Sequence, residues 1–263
     1  MKEEDLHEYD GDDRVISSFE FLAMIKERQE KQKSPYCSLL PTLDRLIEGF
    51  QPGELVTISG PTKNGKTLLS QTITKNFFHN KIISLWFSFE VPARQFLGQF
   101  GNDLPLIYMP SCLKTASVPW LRTRIIEAQV KYNVKAVFVD HLHFLFDMMA
   151  SKNTSLQIGQ VIRTLKSIAV ERELVIFLMA HTGKGDGDSY TQIRDSSFVS
   201  QESDTVFMVN RNMDPKKKTE GFIIVEFHRR TGVLREIVPV IKVGNFFEEK
   251  CVESQAVDWR DRY

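Results

Sequence analysis

The sequence predicts an α/β fold, a mostly parallel twisted sheet with antiparallel edge strands and flanking helices. Three observations carry this. Apolar runs of strand length at 55–59, 82–89, 134–140 and 174–180 alternate with longer helical patterns, the rhythm of β-α-β units. A glycine-bounded loop, Gly60-Pro61-Thr62-Lys63-Asn64-Gly65-Lys66-Thr67, joins the first run to the first of those helices. Two later runs, 203–209 and 222–227, follow one another without a helix between them, which adds antiparallel strands at an edge.

Residues 1–14 are acidic and contain glycine, the composition of a disordered tail. Ser17-Ser18-Phe19-Glu20 has capping-box spacing. Phe19, Phe21, Leu22, Met24 and Ile25 then precede a charged run at 26–33. This reads as an amphipathic helix in a linker segment, 15–37, ending before Pro35. Such a helix either caps its own domain or docks on a neighbouring subunit. Residues 38–53 read as a short helix punctuated by glycine and proline. Glu90 ends the second strand, and Pro92 starts a helix reaching Phe100. A short strand is expected at 106–109. The helix at 119–132 carries Leu121, Ile125, Ile126 and Val130 on one side. The third long strand ends at Asp140. The helix at 155–172 presents Leu156, Ile158, Val161, Ile162, Leu165, Ile168 and Ala169, and the strand after it ends at His181. A glycine-rich loop at 182–188 follows, and 249–263 read as a tail.

Bulk composition excludes several classes. Lys plus Arg and Asp plus Glu number 34 each, so net charge signals no nucleic-acid partner and any such binding needs a local basic patch. Three cysteines, Cys37, Cys112 and Cys251, are widely spaced with no CxxC. Neither a zinc site nor a disulfide framework is expected, and a reducing, cytoplasmic setting is. The acidic N-terminus has no apolar stretch of signal-peptide type, and no run of about 18 apolar residues spans a membrane.

Ligands in parallel sheets sit beyond the strand C-termini. There the sequence places the loop 60–67, Glu90, Asp140 and His181. The loop has the G-x-x-x-x-G-K-[ST] spacing of a P-loop. Gly60 and Gly65 permit a tight turn whose N–H groups converge, and the helix that follows aims its positive end at the same point. Lys66 adds a full charge for phosphates, and Thr67 a hydroxyl for Mg²⁺. Asp140 is placed as a Walker B acid that holds the metal or orients Thr67. Glu90 is placed to activate water, and His181 to sense a lost phosphate. His141 and His143 read as packing residues. In His228-Arg229-Arg230-Thr231-Gly232 the arginines are either a solvated hairpin end or an arginine finger for a neighbouring subunit. Lys216-Lys217-Lys218 reads as a solvated run.

These motifs, in this order, resemble the RecA-like ATPase domain of hexameric replicative helicases: the DnaB family, phage primase-helicases and Twinkle. The resemblance covers 38–248, about four fifths of the chain. Thr42-Leu43-Asp44 with Gly49-Phe50-Gln51-Pro52-Gly53-Glu54-Leu55 resembles the family's approach to the P-loop. Phe87-Ser88-Phe89-Glu90-Val91-Pro92 resembles F-S-L-E-M-P. Val139-Asp140-His141-Leu142 resembles the D-H variant of its Walker B segment. Arg163-Thr164-Leu165-Lys166 resembles R-x-L-K. Ala180-His181 resembles the phage-type sensor, and Ile193-Arg194-Asp195-Ser196-Ser197 with Gln201 and Asp204 resembles L-R-E-S-G-x-I-x-Q-x-A-D, a DNA-facing loop. Arg230-Thr231-Gly232 resembles the end of K-x-R-x-G. His228 stands where the family has lysine, and Ser197 where it has glycine.

The resemblance implies an ATP-dependent, Mg²⁺-using DNA helicase motor with 5′→3′ polarity, a ring-forming homo-oligomer of hexameric type that translocates on single-stranded or forked DNA. Glu90 would be the catalytic base, aided by Lys66, the sensor His181 and a trans Arg230. Gly60, Pro61, Thr62, Lys63, Asn64, Gly65, Lys66, Thr67 and Leu68 would bind nucleotide with Arg230. Thr67 and Asp140 would hold the metal. Lys152, Lys184, Arg194, Asp195 and Ser197, in loops 146–155 and 182–197, would face DNA. Only 37 residues precede the resembling stretch, so a primase is expected as a separate partner, like a loader, and the linker helix is expected to dock on the adjacent subunit. So short a chain resembles phage- or plasmid-borne helicases, with mitochondrial origin also open. The alternatives on the same fold are a RecA/RadA-like recombinase, a KaiC-like ATPase, and a non-catalytic helicase accessory module.

Overall fold

In the computed structural model, residues 9–11, 14–31, 35–115, 117–145, 154–181 and 196–250 are described. The chain divides into two units, 1–35 and 36–263. The first contains helix α1, Ser18–Lys31. Its start is the expected capping box: Ser17 Oγ accepts from Glu20 N at 3.2 Å, and Glu20 Oε2 accepts from Ser17 N at 3.0 Å. Phe19, Phe21, Leu22 and Met24 on this helix are exposed.

The second unit is built on nine strands ordered β3-β2-β4-β5-β1-β6-β7-β8-β9 among the described residues. β1 (Leu55–Ser59), β2 (Ser84–Ser88), β3 (Ile107–Tyr108), β4 (Ala136–Asp140), β5 (Val175–Met179) and β6 (Thr205–Arg211) run parallel to one another. β7 (Glu220–His228), β8 (Leu234–Val243) and β9 (Phe246–Glu249) extend the sheet antiparallel. The helices are α2 (Pro41–Ile47), α3 (Lys66–His79), α4 (Ala93–Gly98), α5 (Val118–Tyr132), α6 (Thr154–Arg172) and α7 (Ser196–Glu202). No described helix is long and apolar enough to cross a membrane.

Each central strand is apolar at nearly every position because both sheet faces are covered. Val56, Ile58, Trp86, Phe138, Phe177 and Met179 pack with Leu69, Ile73 and Phe77 of α3. Leu55, Leu85, Phe87, Val137, Val139, Ile176 and Leu178 face Leu121, Ile125, Ile158, Ile162 and Leu165 of α5 and α6. An aromatic file crosses three strands of the first face. Trp86 stacks on Phe138 at 4.7 Å, Phe138 on Phe177 at 4.4 Å, and Phe177 meets Phe50 edge-on at 5.0 Å. The buried Trp86 indole N–H is satisfied by Thr74 Oγ1 at 3.0 Å.

Four expectations are corrected. α5 buries Leu121, Ile125 and Ala128, while Ile126 is half-buried and Val130 is 74% exposed. Val130 lies nine residues from Leu121, on the opposite side of a 3.6-residue helix. Leu156 of α6 is likewise exposed. Glu249 is not tail but the last residue of β9, and its carboxylate accepts from Thr42 N at 2.7 Å and Leu43 N at 3.1 Å, closing the start of α2. Ser197, expected in a loop, lies in α7. Of the expected tails, 1–8 and 251–263 lie outside the described residues.

Removal of the central ring is expected to be costly: Phe177→Ala should lower unfolding free energy by about 3–5 kcal/mol. The control Val130→Ala should change it by less than about 0.5 kcal/mol. Urea denaturation followed by circular dichroism checks both.

Candidate active site

The site forms where β1, β2, β4, β5 and β6 end. Gly60 leaves β1 at φ 137°, and a Cβ there would lie 2.4 Å from the Val209 carbonyl oxygen. Its bare backbone lets the loop rise against β6. Gly65 at φ 100° caps α3 in the left-handed region. Lys66 is buried and donates to the carbonyls of Gly60 at 2.8 Å and Pro61 at 3.0 Å. Burial pushes its ammonium pKa down, against the pull of Asp140 and Glu90.

Thr67 Oγ1 donates to Asp140 Oδ2 at 2.8 Å. Asp140 is 2% exposed, and burial pushes its carboxyl up to about 6; the Thr67 hydrogen bond and Lys66 oppose that rise and Glu90 adds to it. The Asp140 carbonyl also accepts from Phe89 N at 2.8 Å and Glu90 N at 3.3 Å. Glu90 therefore starts from a fixed backbone. Its carboxylate reaches His141 Nδ1 at 3.1 Å and lies 3.6 Å from His181 Nε2. His141 is pushed down to about 4 by burial and by His181, with Glu90 opposing. His181 is lowered by burial and Lys66, again against Glu90. Both shifts favour the neutral imidazole.

Lys66, Thr67, Glu90 and His181 line a cavity of about 570 Å³ with Thr62, Lys63, Gly65 and Leu68. Thr67 and Asp140 offer a hydroxyl and a carboxylate oxygen, hard donors of the kind Mg²⁺ takes. Glu90, His141 and His181 have ligand atoms within 4.8 Å of one another, a set that could also take a cation.

Three residues that the local sequence motifs do not single out, Arg211, Lys242 and Asn245, line the same cavity. Arg211 ends β6, which runs parallel to β1, so strand direction alone could have placed it. Lys242 sits near the end of β8 and Asn245 in the turn that follows, and neither can be found while β8 goes unrecognised. His141, expected to pack rather than to reach a metal or a strand interface, packs against Phe144 and His181 and also touches Glu90.

Arg230 is not brought to this cavity. β7 runs against β6, so its end lies at the opposite edge of the sheet. There Arg230 donates to the carbonyls of Ile47 at 2.6 Å and Gly49 at 2.7 Å, and pairs with Glu48 at 2.9 Å and Glu54 at 3.3 Å. That edge also explains two other motifs. Lys166 pairs with Asp204 at 2.7 Å, and the same carboxylate oxygen accepts from Leu55 N at 2.7 Å. Of the DNA-facing candidates, Lys152, Lys184, Arg194 and Asp195 lie outside the described residues, and Ser197 lies on α7.

Fold and site together define the RecA-like P-loop class. The family model described as the DnaB-like helicase C terminal domain matches residues 37–100 and 106–241, and the chain belongs to this family. The replicative DNA helicase DnaB of Mycoplasma pneumoniae is 25% identical over 224 residues, covering 69% of this chain and 47% of the relative. That of Treponema pallidum is 25% identical over 227 residues, covering 72% and 50%. The chain spans about half the length of the curated relatives it matches. Among solved structures, one ATPase domain superposes with a TM-score of 0.75 at 18% identity, over 89% of this chain and 99% of that one. A DnaB-like replicative helicase, solved for its interactions with primase, superposes with a TM-score of 0.73 at 18% identity, over 86% and 67%. At this identity the likeness shows the fold.

Burial of Asp140 has a consequence for stability. Its folded pKa is raised from 3.8 to about 6, so the folded protein holds this proton more tightly than the unfolded chain. The favourable contribution is present below about pH 4 and is lost as pH rises through 6. The permanently neutral Asp140→Asn should therefore unfold less readily than the parent at pH 8 in EDTA without nucleotide, by up to roughly 3 kcal/mol. The gap should close toward pH 4, as thermal melts across that range would show.

Proposed function

We propose that this chain is the ATPase motor of a replicative DNA helicase, working as a ring that moves along single-stranded DNA. The observation that carries the reading is a divided site. P-loop, Glu90, Asp140 and His181 meet at one edge of the sheet, while Arg230 lies at the other and is 34% exposed. An arginine so placed is away from this chain's own P-loop, which supports the reading that it serves a neighbour's nucleotide, as in a hexameric ring that seats ATP between subunits.

In this reading Lys66 and the loop N–H groups receive the phosphates of ATP. Thr67 and Asp140 hold Mg²⁺, which when bound neutralises phosphate charge. Arg211, Lys242 and Asn245 border the rest of the nucleotide. Glu90 takes the proton of the attacking water, and the neutral His181 registers the phosphate group. Arg230 leaves its carbonyl partners to meet charge on the adjacent subunit's ATP. Arg194 with Lys152, Lys184, Asp195 and Ser197 would track the DNA backbone with 5′→3′ polarity. The exposed apolar residues of α1 suit docking on the next subunit. A primase and a loader are proposed as partners. A reducing cytoplasm is the proposed setting, in keeping with the free thiols of Cys37 and Cys112.

Lys66→Ala and Arg230→Ala should each lower DNA-stimulated ATP turnover by about a hundredfold or more. Mixing the two inactive variants should restore measurable turnover, because some interfaces then combine an intact P-loop with an intact arginine. A mixture as inactive as its components would rule out Arg230 acting in trans. Unwinding of a forked duplex, with each tail blocked in turn, tests the motor and its polarity. Filaments in place of rings in electron micrographs would favour a recombinase.

A further inference from the structure

We infer that His141 is a positioning residue that fixes the carboxylate of Glu90 for catalysis. This rests on the proposed role of Glu90 as the base. The Glu90 side chain is 42% exposed. A glutamate so exposed ordinarily samples several rotamers, and each ordered one costs entropy. Here one oxygen is held, because His141 Nδ1 lies 3.1 Å from Glu90 Oε2. An ionised carboxylate only accepts, so Nδ1 carries the proton and donates it into the bond. Oε1 is then the oxygen left for water.

The imidazole is itself held. Its side chain is 12% exposed. His181 stands edge-on to it at 4.3 Å, Phe144 at 4.9 Å and His143 at 5.2 Å between ring centres. Phe144 in turn stacks at 5.8 Å on Phe89, the residue before Glu90. The wall of the imidazole's box is thus part of the segment it orients. His181 Nε2 lies farther from the same oxygen, at 3.6 Å, beyond hydrogen-bond length. Of the two histidines only His141 makes the bond, and its neighbour Asp140 fixes the Glu90 backbone. One dipeptide therefore places both ends of the residue.

The test is DNA-stimulated ATP hydrolysis by the full chain. His141→Ala should lower kcat roughly tenfold or more, the size of a lost hydrogen bond to a charged group, with KM for ATP moving less than about threefold. His141→Asn, whose amide N–H can stand in for Nδ1, should recover most of the loss. His141→Phe, which fills the box without a donor, should not. On a Glu90→Gln background His141→Ala should cost nothing further, because its effect runs through that carboxylate. Rescue by Phe as good as by Asn, or the same fold-loss on both backgrounds, would make His141 a packing residue and overturn the inference. A parental His141→Ala beside an inactive Glu90→Gln removes the inference alone. A Glu90→Gln variant with parental turnover removes the base assignment and this inference with it.

Discussion

The hydrogen bond from Thr67 Oγ1 to Asp140 Oδ2, at 2.8 Å, is the contact on which the site depends. It ties the first turn of α3 to the end of β4 across 73 residues of sequence. Asp140 sits on a strand flanked by β2 and β5, so its position sets those of Glu90 on one side and His181 on the other. Its side chain holds the P-loop helix and its carbonyl holds the backbone at 89–90. A buried carboxylate resists ionisation, and here a hydroxyl and a nearby ammonium offset part of that resistance. The cost of burying this acid is local to the place where a metal's charge would relieve it.

Strand direction divides the remaining candidate residues between two edges. The parallel strands deliver the P-loop, Glu90, Asp140, His181 and Arg211 to one edge. The reversal at β7 carries Arg229 and Arg230 to the other. That second edge is braced by Lys166 and Asp204, which lock the start of β1 to α6 and β6. Two segments that resemble family motifs, R-x-L-K and the terminal aspartate of Q-x-A-D, thus meet in one ion pair. Arg163 of the first motif also pairs with Glu202 of α7 at 3.0 Å. The C-terminal end of α7 is therefore anchored to the same helix that supports β1.

Local signals are enough for most of this. The P-loop, the capping box at Ser17 and the apolar strands all announce themselves within a dozen residues. Glu90, Asp140 and His181 follow because strand ends in a parallel sheet share an edge. β8 does not announce itself: Pro239 interrupts its alternation, and proline within an apolar run argues against a strand. It fits because Pro239 contributes only its carbonyl, which accepts from Lys250 N at 3.0 Å. Lys242 and Asn245 are lost with it. The role of His141 is illegible for a different reason. It depends on Ser88 pairing with Asp140, a register between segments some fifty residues apart that no local pattern encodes.

The charge state of the histidines completes the electrostatic argument. The carboxyls of Glu90 and Asp140 and the ammonium of Lys66 lie close enough to act on one another's charge. Protonated imidazoles at 141 and 181 would add two positive charges there and bind Glu90 as salt bridges. Burial lowers both rings, with His181 adding to it at His141 and Lys66 at His181, and so favours their neutral forms. A neutral imidazole still donates one hydrogen bond, which orients the carboxylate without neutralising it. The same aromatic packing that removes water from His141 therefore holds its ring in place and favours its neutral form.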